Sequence, residues 1–169
     1  NLGSALLELG DASGALDFYE KALTINQNSQ EYLHNSAIAM LRLGRPLSAI
    51  QRSEKVLKLN PSHATALRLL TELDEFEITK PIISNLKNIW LAPETIPSDR
   101  CQIGFALYQS KKRAGNYKKA YRYLVEANAI QKRLTSYERS LTDQRFKTWL
   151  AESEQWLANS PPEAEKHCK

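Results

Sequence analysis

A pattern of small and apolar residues that recurs every 34 positions constrains this chain more than anything else in it. Leu2, Gly3, Leu6, Gly10, Ala15, Tyr19, Ala22 and Gln27 return as Ser36, Ala37, Met40, Gly44, Ala49, Ser53, Val56 and Pro61. A further copy, displaced by 71 residues from the second, runs through Leu107, Lys111, Gly115, Ala120, Leu124 and Ala127. Between them a degenerate copy begins at Ala64, Ala66, Leu67 and Leu70 and then loses its glycine. A period of this length belongs to a supersecondary unit too small to bury its own apolar face, so the fold must arise by stacking each unit on the next.

The residues inside the period say what the unit is. Gly10, Gly44 and Gly115 each follow an apolar stretch of helical spacing, where a left-handed C-terminal cap favours glycine. Ala15, Ala22, Ala49, Ala120 and Ala127 are small residues that let paired helices approach closely. Leu2, Leu6, Tyr19, Leu33, Leu47, Leu67, Leu70, Phe105 and Leu107 are the side chains expected to fill the space between them. Helices are predicted near 1–9, 12–25, 29–43, 46–59, 63–76, 80–92, 98–114, 117–133 and 137–159. Pro46 and Pro81 fall in first turns, where a missing N–H is harmless, and Leu91 to Arg100, with two prolines, reads as a loop.

This pattern resembles the tetratricopeptide repeat, most clearly in GDASGALDFYEKALTIN from Gly10 and GRPLSAIQRSEKVLKLNP from Gly44. The resemblance implies an all-α, right-handed tetratricopeptide superhelix, an α-α solenoid of about four helix pairs. Its repeats would span 1–29, 30–63, a degenerate 64–96 and 97–133. A capping helix over 134–159, carrying Phe146, Trp149, Leu150, Trp156 and Leu157 as an apolar stripe, and a polar tail over 160–169 would follow. More narrowly, Tyr121, Glu126, Ala127, Asn128 and Arg133, followed by Tyr137, are similar to the last repeat of bacterial proteins in which such an array is fused to a sulfotransferase. No nucleotide-sulfate loop and no GxxxxGK[ST] is present, and no glycine follows Gly115. A substrate-presenting arm is therefore the form this second reading takes. The register starts at the sixth position of the first repeat, which predicts further protein before Asn1 and an apolar edge open to a neighbour, including a second copy.

Composition narrows the rest. With 42% hydrophobic and 25% charged residues over 169 positions, the chain has the content of a globular protein rather than of a disordered one. Cys101 and Cys168 have no CxxC or Cys/His ligand spacing, which predicts a reduced, cytoplasmic setting and no metal or other cofactor. No stretch reads as a membrane span.

Two surfaces are candidates. The resemblance implies a concave groove lined by first helices, where the family binds peptides. It places Ser4, Leu7 and Glu8, then Glu31, His34, Asn35, Ile38 and Arg42, then Thr65, Arg68 and Glu72 on that face. Asn35 stands where carboxylate-binding members carry asparagine, but Thr65 and Leu69 replace their basic clamp. The second surface is the 111–133 segment, where Lys111, Lys112, Arg113, Lys118, Lys119, Arg122, Lys132 and Arg133 face only one acidic residue, Glu126. Its Tyr117, Tyr121 and Tyr123 open a nucleic-acid reading, less favoured than an anionic protein surface because Tyr117 and Leu124 hold repeat packing positions. Catalysis is not expected. His34, His63 and His167 are scattered, Glu75 and Glu77 point to different sides of a helix, and Cys101 reads as a small apolar core residue. The expected function is a non-catalytic scaffold that binds a protein or peptide.

Overall fold

A helix pair closes only if the chain reverses within a few residues, and glycine does this at three places. Gly10, Gly44 and Gly115 adopt φ of 85°, 70° and 70°, and the amide after each donates to the carbonyl five residues earlier, all at 2.9 Å. This arrangement satisfies the carbonyls left open at a helix end. In the computed structural model, which describes residues 2–135 and 147–151, eight helices follow one another. They are α1 (Leu2–Glu8), α2 (Ala12–Ile25), α3 (Gln30–Arg42), α4 (Pro46–Leu59), α5 (Ala64–Glu72), α6 (Lys80–Leu91), α7 (Pro97–Arg113) and α8 (Tyr117–Thr135). Helix starts are fixed by Asp11, Ser29 and His63, whose side chains accept from Gly14, Tyr32 and Ala66 amides, and by Pro46, Pro81 and Pro97 in the first turns of α4, α6 and α7.

The chain is all-α, built of helices packed in adjacent pairs, and it divides into two units after Leu134. Within the first unit α1 packs on α2, α2 on α3, α3 on α4 and α4 on α5. Ala15, Ala37 and Ala49 are fully buried at these contacts around Tyr19. Ala127 of α8 lies over Gly104 of α7. A second cluster gathers Leu67, Leu86, Ile103 and Leu107, and a third Leu23, Leu33, Val56 and Ala66. Leu2 and Leu47, expected between helices, are instead 61% and 64% exposed. Leu47 sits in the first turn of α4, just after Pro46, outside the helix contact. The capping helix over 134–159 lies outside the described residues apart from Leu134 and Thr135, in α8, and 147–151, which are helical, and the tail over 160–169 lies wholly outside them.

The third unit departs from the pattern. Its first helix was expected over 63–76 but ends at Glu72, where Leu73 turns extended in place of a left-handed glycine. Residues 73–79 then form a connection that buries Phe76, and α5 packs chiefly on α7, while α6 packs on α7 rather than mainly on its expected mate α5. Arg113, at the end of α7, closes this connection. Its guanidinium donates to the carbonyls of Leu73, Asp74 and Phe76, each at 3.0 Å. Arg113→Ala is expected to lower stability by about 1–2 kcal/mol, since charged donors to otherwise open carbonyls are lost at a partly hydrated site. Urea unfolding checks this, and an unchanged midpoint would mean that water replaces the guanidinium at no loss.

Candidate functional site

The first helices bring polar and aromatic side chains together in two contact groups, one across α3 and α5 and one across α5 and α7. His63 begins the first as the N-cap of α5. Its Nδ1 accepts from the Ala66 amide at 3.3 Å and lies 3.2 Å from Thr65 Oγ1, so the ring proton belongs on Nε2. The His34 ring of α3 lies 5.4 Å from it, tilted by 48°. Burial, and secondarily the charge His63 would carry, push His34 down to about 4, and its Nδ1 is buried without a partner. Burial also lowers His63, against the opposing charge of Asp99.

Arg68 anchors the second group. Its Nε donates to Glu72 Oε1 and its Nη1 to Gln102 Oε1, both at 2.8 Å, and the guanidinium sits 4.8 Å from the centroid of Phe105. A cation so engaged is held in place, and it offers a polar, planar contact to a passing chain rather than a free charge for a terminal carboxylate. Of the other expected groove residues, Asn35 and Ile38 are half-buried on α3, Ile38 against the first core cluster. Arg42 turns away and donates to the Leu7 carbonyl at the end of α1. Glu31 is exposed. Gln102 and Phe105, which meet Arg68, carry no expectation from sequence as candidate groove residues, although the period held the signal: they stand 71 residues after Glu31 and His34.

The basic segment divides. Lys111, Lys119 and Arg122 meet Lys87, Trp90 and Leu91 of α6 and Tyr123 and Glu126 of α8 around a cleft of about 340 Å³. Trp90 and Tyr123 form its aromatic wall, edge to face at 5.6 Å and 83°. Partial burial, then the charges of Lys87 and Lys119, hold Lys111 below the usual lysine value. Lys112 lies over Tyr108 at 5.9 Å. Lys118 is exposed and outside the cleft lining. Arg113, exposed at the end of α7, spends its donors on carbonyls of the 73–79 connection. Lys87 had no local signal, because 24 residues and a loop separate it from Lys111.

Cys101 is fully buried in α7. Its thiol donates to Gln131 Oε1 at 3.1 Å and reaches the Ala127 carbonyl at 3.5 Å. Burial pushes the thiol up, with Arg68 acting weakly against it, which is the environment of an unreactive core thiol. Among the described residues no cluster of three His, Cys, Asp or Glu is placed to hold a metal ion, and no helix is long and apolar enough to cross a membrane.

Residues 1–29 match the tetratricopeptide repeat family model. No curated protein matches the chain. Among solved structures it is similar to that of MamA, at 18% sequence identity and a TM-score of 0.45, over 81% of this chain and 98% of that one.

Proposed function

We propose that this chain is a non-catalytic scaffold that holds an extended protein segment against the inner face of its first helices. The observations supporting this reading are two groups of direct contacts on first helices, His34 with His63 and Thr65 across α3 and α5, and Arg68 with Gln102 and Phe105 across α5 and α7. Helices alone do not make a recognition surface. A face of fixed donors, acceptors and aromatic edges does, because its groups lose little freedom on binding. An extended peptide presents backbone N–H and C=O groups along such a face and one side chain in every two toward it.

Peptides selected from a random display library against the whole protein test this. Asn35→Ala combined with Arg68→Ala is expected to weaken the selected peptides about tenfold or more, the loss of roughly 1.4 kcal/mol or above. Thr65→Arg, which fills the face with a bulky cation at the cost of the Thr65 hydroxyl's contact with His63 Nδ1, is expected to do the same. Peptides that bind both variants as well as the parent would move the contact surface elsewhere. The narrower likeness at 105–137 supports a second role, as an arm presenting substrate to a sulfotransferase domain. Coding sequence after Lys169 without a nucleotide-sulfate loop would end that role.

A further inference from the structure

The cleft between α6, α7 and α8 shares no lining residue with the two contact groups just described. Four cations, Lys87, Lys111, Lys119 and Arg122, face it with one carboxylate, Glu126. Among the described residues the ion pairs are Arg52 with Glu20 and Arg68 with Glu72, so none of the four is neutralised by the protein itself. Like charges crowd one another there: Lys87 and Lys119 both act on Lys111, which is also partly buried. Such an arrangement is relieved by an external anion.

The aromatic wall limits what that anion can be. Trp90 and Tyr123 are packed edge to face, and the Trp90 ring edge is pressed against Gly104 of α7. This pair offers an apolar surface and no parallel slot into which a base could slide. Leu91, 75% exposed at the rim, extends the apolar surface. The charges converge on one cleft of about 340 Å³ rather than following a track, which suits a short segment with an apolar side chain inside and negative groups around it. Glu126 at the wall repels phosphate but accepts a backbone N–H.

We propose that this cleft binds an acidic peptide segment, one apolar side chain resting on Trp90, Leu91 and Tyr123 and flanking carboxylates paired with Lys87, Lys111, Lys119 and Arg122. It is a second interaction surface and does not depend on the groove reading.

Fluorescence anisotropy of the whole chain tests it with a labelled peptide of about twelve residues, glutamates and aspartates flanking one phenylalanine. Saturable binding is expected at about 50 mM salt, weakening as salt rises to about 300 mM. Lys87→Glu with Lys119→Glu is expected to weaken it at least roughly tenfold. Both side chains are exposed, so the fold is retained, as a thermal melt checks. The glutamine and asparagine version of the peptide should not bind, and the version with glycine for phenylalanine should bind more weakly. Asn35→Ala with Arg68→Ala should leave this binding unchanged, which separates it from the groove. No saturable binding at low salt, full binding by the charge-reversed variant, or equal or tighter binding of oligouridylate or pyrophosphate would each overturn the proposal.

Discussion

Replacing Gly104 by leucine is expected to destabilise the array by about 3 kcal/mol, because a side chain is being forced into a packed three-helix contact. A Cβ at this position would lie 2.8 Å from the Ala127 Cβ of α8 and 2.8 Å from the Trp90 ring of α6. Both neighbours are fixed, one by the helix backbone and the other by its contact with Tyr123. The thermal midpoint should fall by roughly 6–12 °C for a chain of this size. The repeat register explains why glycine stands there. Leu33, 71 residues earlier, occupies the corresponding place in the second unit and is 1% exposed. In the fourth unit the Trp90 ring takes up volume that a leucine would otherwise fill. Gly104→Leu with Trp90→Ala is therefore expected to recover part of the loss, a non-additivity that calorimetry on the single and double variants measures. Simple addition of the two losses would mean that the two positions do not exchange volume.

The second large effect is on acid stability. His34 titrates at about 4 in the folded chain and near 6.5 when unfolded, so the unfolded chain takes up its proton first as pH falls. The associated stability is intact above about pH 6.5 and is lost between there and about pH 4, a total of roughly 3 kcal/mol. Structure gives the reason: protonation would place a charge in a buried setting where Nδ1 has no acceptor, beside the His63 ring. His63, also lowered by burial, acts in the same direction, and Asp99 opposes it. His34→Phe should remove most of this slope, and the repeat itself supports the choice, since Phe105 stands 71 residues after His34. Urea unfolding of both proteins at pH 7.5 and 4.5 makes the comparison. Equal losses of stability in parent and variant would show that carboxylates, not His34, govern the acid limb.

Much of the array was legible because its signals are local or reach only to a neighbouring unit. A glycine with positive φ needs no distant partner, and three of them marked three helix ends correctly. Alanine at the helix contacts was legible for a similar reason: close approach demands a small residue whatever lies opposite, and of the five alanines so placed Ala15, Ala49, Ala120 and Ala127 are buried while Ala22 is half-buried. The contacts of the candidate groove residues were half legible. The period placed Arg68 and His34 on first helices but could not say that Arg68 spends its donors on Glu72 and Gln102, since a hydrogen bond depends on rotamers set by both helices.

Sequence alone thus determined the unit, its period, its turns and the all-helical class. What the tertiary structure decided lies at the break in the period. Gly44 and Gly115 are 71 residues apart, three more than two periods, and those extra residues change how α5 and α6 meet α7. From that shift follow the packing of α5 on α7, the use of Arg113 as a clamp, the wedge of Trp90 over Gly104, and the meeting of Lys87 with Lys111, Lys119 and Arg122. None of these can be read from a repeating pattern, because a local period carries the register only while it is unbroken; past an insertion, packing between helices sets it.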